Sequence, residues 1–504
     1  MHLSQTIPFP IPSQVPHTFT DATHYAQQCL KTAWKDLREV KKAAFPHRLH
    51  FLQERINTYE DNGETLKADS VRAILSKETR RHMFKKLSFH INGSSADSLH
   101  KVIVTHHGEP TEITDTSALH SALLNRNRHH FRQAHETPFA QPPLSDILPP
   151  LDYTDTVEAI LRGDLLFFTN LPPETRSFLS NMKSTPSELF SETISLEDFT
   201  IGMKKATEGK SSSVSGRHYG IYKALLPNAL FSGLVVRLIN LGVDNGFVLR
   251  RWRKVLQVML CKTPGVYEID KLQVIQLIEA DLNMYLRLIW GKRLVHHALH
   301  AGKILVEQFG SKPGSLAMSA ALLKVLTFDL IRLTRSQATI FNNDAQACYD
   351  RILPVLSQIC CQRLGLPPIA AKFKLEFLQT VEYYVKTRQG ISDDWFGNAL
   401  SEVYGALQGS GAAPAIWLAV SIVLIRTYNE LHSVDGIPDP TNTLRLHKII
   451  DAFVDDTNLW DILFHNPLSD QAAISRMQHG SQTWEKLIFL SGGTLNPKNA
   501  TGTM

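Results

Sequence analysis

Two acidic segments about a hundred residues apart constrain this chain more than anything else in it. The first reads Phe-Asn-Asn-Asp-Ala-Gln-Ala-Cys-Tyr-Asp over residues 341–350, with Ala338, Ile340 and Phe341 on its approach. The second closes the apolar run Ile449-Ile450-Asp451-Ala452-Phe453-Val454 with the adjacent pair Asp455-Asp456. Each segment puts a carboxylate after an apolar stretch, and carboxylates from two separate segments could converge to hold two Mg²⁺ ions for phosphoryl transfer. Asp455-Asp456 fits a hairpin tip, where two like charges stay exposed to metal. Adjacency alone carries little weight, because Asp393-Asp394 is another such pair.

Between the segments lies a loop of small residues, Gly405-Ala406-Leu407-Gln408-Gly409-Ser410-Gly411-Ala412-Ala413-Pro414. Pro414 suits the first turn of a following helix, and the glycines allow close approach of backbone to a ligand. Its position between two acidic stretches lifts it above an ordinary small-residue turn.

At 504 residues the chain can bury a large core and has room for two or three domains. The formal net charge is +5 and the pI about 8.8, compatible with a nucleic-acid partner. The stretch Arg72–Lys86 carries six basic residues against one acidic residue, Glu78. It reads equally as a solvated helix face or as a nucleic-acid contact. Five scattered cysteines with no Cys-x-x-Cys pair exclude a disulfide framework or zinc module and fit a reducing, intracellular setting, nucleus or cytoplasm. The start, Met1-His2-Leu3-Ser4, is not a signal peptide. The longest apolar run, 412–425, is too short for a bilayer and reads as a buried helix, so no membrane is expected.

Along the chain, residues 1–24 read as a disordered lead-in and 25–150 as a helical N-terminal extension that ends in a proline linker at 138–150. Asn62-Gly63 divides the first helical stretch in two. A β-like segment at 101–105 precedes a helix around Ser117–Gln133. Residues 151–335 and 336–504 form two further regions. Within them, alternation over Trp252–Ile278 predicts a hairpin, and Asp281–Phe309 a long helix. Strands alternating with helices in the last third suggest an α/β or α+β domain. Gly209-Lys210-Ser211 is no phosphate loop, since Lys204 stands where the first glycine belongs. The His296, His297, His300 cluster lacks the glutamate of a zinc helix. No Gly-x-Ser-x-Gly elbow exists.

The order Asp344…Tyr349, Gln408-Gly409, Asp455-Asp456, then Gly492-Gly493-Thr494-Leu495-Asn496-Pro497-Lys498 resembles the palm of reverse transcriptases, in detail those of non-LTR retroelements. Residues 211–223, 272–281 and 307–314 resemble that family's fingers blocks. Residues 125–139 resemble the region before the polymerase in retroelement polyproteins, so the likeness covers about 120–504. It implies an α+β right-hand fold, with a palm built on a ferredoxin-like antiparallel sheet, fingers at 151–335 and palm at 336–504. The chain stops shortly after Lys498, which implies that the thumb is absent, and no endonuclease-like region precedes residue 25.

The resemblance implies residue roles as well. Asp344 and Asp455 would bind both metals, with the Ala345 carbonyl as a further ligand and Asp456 in support. Tyr349 would lie under the incoming sugar, and Gln408 and Gly409 would line the nucleotide pocket. Lys498 would approach the leaving pyrophosphate and Lys262 the triphosphate. The cofactor would be two Mg²⁺ ions, with Mn²⁺ as a substitute. The partners would be an RNA template, a DNA or RNA primer and deoxynucleoside triphosphates; oligomeric state is left open. The chain departs from the family at Gln273, where an arginine is usual, which leaves a non-catalytic nucleic-acid-binding remnant as the first rival. A two-metal nuclease or phosphatase is the second, although nothing in it requires Tyr349 or Gln408-Gly409.

Overall fold

The computed structural model describes residues 48–91, 99–106, 109–185, 189–207, 213–263, 265–315, 317–432, 437–438, 445–446, 450–463, 468–496 and 501–503. The lead-in expected over 1–24 lies outside the described residues, as does Lys498. The fold is mixed α and β, as the sequence implied. Helix 48–61 turns at Gly63 (φ +69°) into helix Thr65–Ile91, and the two bury Leu52, Ile56 and Val71 against each other. Within the basic stretch, Arg72 is already paired to Glu60 and Asp69.

Residues 99–150 behave differently from that pair. The β-like segment is strand β1 (Val102–His106), paired antiparallel to β2 (Glu109–Ile113), which the sequence did not suggest. Asp115 caps the next helix, Thr116–Arg132, by accepting from the Ala118 amide, and the helix buries Leu119, Leu123 and Phe131 along one face. The prolines of 138–150 do not form a linker. Short 3₁₀ turns at Gln133–Glu136 and Pro138–Ala140 satisfy the backbone locally, so Phe139, Ala140 and Leu148 pack into the main core.

One hydrophobic core runs from Leu99 to Leu495 and draws on all regions between. Two sheets are set into it. The expected hairpin is β3 (Lys254–Cys261) against β4 (Leu272–Leu277). β3 also pairs in parallel with β6 (Glu382–Thr387), which pairs with β7 (Gly390–Ile391), so segments on both sides of residue 335 share a sheet. The long helix begins at Ala280 but ends at His300, not at Phe309. The chain turns at Gly302 (φ +63°), and the Lys303 amide closes the end on the Ala298 carbonyl.

The second sheet contains β5 (Gln337–Asp344), β10 (Ile450–Phe453), β11 (Asp456–Leu463) and β12 (Thr501–Thr503), in the order β10-β11-β5-β12 and antiparallel throughout. Two-residue pieces β8 (Ile437–Pro438) and β9 (Arg445–Leu446) pair with each other. Helices and strands β6 to β9 lie between β5 and β10 in the chain, a hairpin joins β10 to β11, and helix Asp470–Leu490 leads on towards β12. Strand alternation gives the sheet two unlike faces. Ala452, Leu459 and Phe341 join the main core, with the Trp484 indole donating to Asn343 Oδ1 at 3.1 Å. Ile340, Trp460 and Ile462 form a small separate cluster with Leu330 and Ile331 of helix Ala317–Thr334.

The apolar run at 412–425 is the buried helix expected, Ala413–Leu431, with Pro414 in its first turn. Among the described residues no helix is long and apolar enough to cross a membrane.

Candidate active site

The second sheet brings the two acidic segments together. β5 and β11 pair with Asp344 directly opposite Asp456, an arrangement that places Cβ atoms about 4.5–5.5 Å apart. Phe453 pairs with Asp456, which leaves Val454-Asp455 as the hairpin tip. The Asp455 carbonyl accepts from the Ala345 amide at 3.2 Å, tying the tip to the end of β5. Three carboxylates from distant stretches thus share one end of one sheet.

The tip is strained and held. Val454 has φ +59°, a region costly for a β-branched residue, on the order of 1–3 kcal/mol. The Trp417 indole donates to its carbonyl at 2.6 Å from the buried helix. On the other side, Gly310 packs so tightly that a Cβ there would lie 2.3 Å from the Val454 nitrogen. The Phe309 amide donates to the Ala452 carbonyl (2.8 Å) and the Ala452 amide to the Glu307 carbonyl (2.9 Å). Segment 307–310 therefore covers the edge of β10, and the Gln308 side chain, fully buried, anchors it to Ser421 at 2.9 Å.

Burial, followed by the charges of Asp344 and Asp456, raises the Asp455 carboxyl above its ordinary range, while its own backbone and Lys262 pull it back. Asp456 is raised by burial and then by Asp344, with Lys324 opposing. Carboxylates that repel one another in a half-buried site are the environment a divalent cation relieves, and their hard oxygens suit Mg²⁺. The donor chemistry therefore fits such an ion. Among the described residues no group of three or more His, Cys, Asp or Glu side chains is placed to hold a metal ion as it stands.

The neighbouring segments converge too. The Asn496 amide donates to the Asp344 carbonyl at 2.9 Å, and the Gln346 amide to the Thr494 carbonyl at 2.9 Å, which lays 494–496 beside 344–346. Tyr349 is half-buried; burial, then Cys348 and Asp455, raises its hydroxyl. Its carbonyl accepts from the Ala406 amide at 2.7 Å, and the next residue, Asp350, is buried against His130 Nε2 at 3.0 Å. The Gln408 carbonyl accepts from the Gln276 amide at 2.8 Å, so the glycine loop docks on the free edge of β4. Gly409 is required there, since at φ +112° a Cβ would meet the Gln276 carbonyl oxygen at 2.4 Å. Lys262 stands exposed just after β3, within electrostatic reach of Asp455. Gln273 lies half-exposed on β4 opposite Leu260.

Several participants were not foreseen. Asn342 and Asn458 sit two residues from Asp344 and Asp456 on the same face, and both accept from Lys324 Nζ, at 2.7 and 2.9 Å. Asp451, buried, takes Asn458 Nδ2 at 2.7 Å and the Trp460 indole at 2.6 Å. Lys324, Asn342, Asn458, Asp451, Asp344 and Asp456 border a cavity of about 570 Å³ under helix Ala317–Thr334, and Asp455 does not line it. Period-two alternation outward from Asp344 and Asp456 would have found the asparagines, but nothing local marks Lys324. No protein-family model matches the chain, and no curated protein matches it.

Proposed function

We propose that this chain is an RNA-directed DNA polymerase module, the reverse transcriptase region of a retroelement polyprotein, acting inside the cell. On this reading the β5/β10/β11/β12 sheet is the palm and the β3/β4 hairpin belongs to the fingers. The single observation that carries it is the pairing of Asp344 opposite Asp456 with Asp455 on the adjoining tip. The sequence order of the surrounding segments, and their contact with that sheet end, support it further.

Two Mg²⁺ ions, or Mn²⁺ in their place, would supply activation of a primer 3′-oxygen and neutralise charge on departing pyrophosphate. Asp344, Asp455 and the Ala345 carbonyl would hold them, with Asp456 in support. Tyr349, fixed through its carbonyl to Ala406, would set the floor under the incoming sugar. Gln408 and Gly409, docked on β4, would line the nucleotide pocket. Lys262 would meet the triphosphate and Lys498 the pyrophosphate. Template and primer would be gripped through their phosphates, so binding weakens as salt rises.

Primer extension on an RNA template with Mg²⁺ tests the proposal. Asp455→Ala is expected to lower extension about a thousandfold, roughly 4 kcal/mol of transition-state stabilisation, while RNA binding persists. Equal extension by both proteins, or none by either with RNA still bound, contradicts it. Gln273 favours a second reading, a nucleic-acid-binding remnant that keeps the fold without polymerising, and the latter outcome would establish it. Shortened strands instead of lengthened ones would identify a nuclease.

A further inference from the structure

Helix Ala317–Thr334 lies over the sheet face that bears Asp344 and Asp456, and its seat there is narrow. Thr327 is its one buried residue among those described. Leu330 and Ile331 rest on the Ile340–Trp460–Ile462 cluster, but only towards its C-terminal end. Most of its apolar surface faces outward, with Met318 75 % and Leu333 83 % exposed. Burial at about 25 cal/mol per Å² therefore holds the N-terminal half weakly. What pins that half is Lys324, whose ammonium donates to Asn342 and Asn458 directly beside the carboxylates.

Lys324 Nζ bonds two neutral amides, each two residues from Asp344 or Asp456 on the same sheet face, so its positive charge lines the same cavity as those two carboxylates. The space between helix and sheet, about 570 Å³, matches a small-ligand pocket. A volume of that size holds a small ligand and not a nucleic-acid duplex. Left-handed residues stand at both ends of the helix, Gly314 (φ +78°) before it and Arg335 (φ +53°) after it, positions able to absorb a rotation.

We propose that Lys324 is a built-in counter-cation of the carboxylate site, displaced when the site takes a divalent ion, and that its departure frees the helix from the sheet and uncovers the face for a nucleic-acid strand. This rests on the metal-binding reading above and adds a gate to it. An ammonium and a divalent cation that share one cluster of carboxylates repel each other, so each weakens the hold of the other.

The test is a Mn²⁺ titration of the full chain, followed by the resonance of free Mn²⁺, for wild type, Lys324→Met and Lys324→Arg. Hydrogen exchange of residues 317–334 is measured alongside, with and without the metal. Lys324→Met should bind Mn²⁺ on the order of tenfold more tightly, and Lys324→Arg should match wild type. Saturating Mn²⁺ should speed exchange in the wild-type helix, and Lys324→Met should exchange fast without metal. Equal affinity of wild type and Lys324→Met, or unchanged exchange in the wild-type helix at saturation, overturns the gate while the metal reading survives. Wild type that binds no Mn²⁺ overturns both. If Lys324→Met does not fold, the wild-type exchange measurement decides alone.

Discussion

Val454 keeps a left-handed backbone because its neighbours leave it no alternative: an indole grips its carbonyl and a glycine lies against its nitrogen. Gly310→Ala is accordingly expected to destabilise the chain by about 1–3 kcal/mol, read from the denaturant midpoint. Gly233 is the contrast, since it lies inside helix Ala229–Asp244 with open space at the Cβ position, and Gly233→Ala should stabilise by about 0.5–1 kcal/mol. Lys374 makes a different test. Its Nζ is fully buried with no hydrogen-bond partner among the described residues, over the Phe377 ring at 5.0 Å, and burial lowers its pKa to about 7. Between pH 10.5 and about 7 the unfolded chain binds the proton that the folded chain refuses, so stability rises with pH across that window. Lys374→Met should therefore be more stable, by about 1–4 kcal/mol, with the gain growing from pH 10 to 7 and flat below. Urea denaturation at several pH values checks this, and a gain independent of pH would contradict it.

Elements were legible where their signal is local and less so where it is not. The β3/β4 hairpin, the helix Thr116–Arg132 and the buried helix after Pro414 follow from alternation, helical spacing and an apolar run. The proline stretch misled because turns rich in proline serve a linker and a packed corner equally, and only the burial of Phe139 and Leu148 tells them apart. Residues 307–309 read as the end of the long helix from Asp281, whereas their pairing with Ala452 depends on a strand about 140 residues later. At the site the carboxylates were legible because each follows an apolar stretch that forms a strand ending there. Lys324 was not, because it comes from a helix with no sequence relation to the strands it bonds. One element-scale consequence concerns the tie between the buried helix and the hairpin tip. Trp417→Phe removes the indole donor, and should cost about 1–2 kcal/mol in stability and lower primer extension with little change in RNA affinity.

Among the described residues, the largest core spans 99–495 beside two small separate clusters, and it braces the site end of the sheet from the 280–300 helix, the glycine loop and both sheets at once. That rigidity is what this set of carboxylates needs if metal ions are to complete it rather than distort it. The central claim is that Asp344, Asp455 and Asp456 hold divalent ions together. Anomalous diffraction from crystals soaked in Mn²⁺ measures this directly. Density is expected about 2.0–2.2 Å from carboxylate oxygens of both Asp344 and Asp455. Density elsewhere, or none between those strand ends with Mn²⁺ at millimolar concentration, would contradict it.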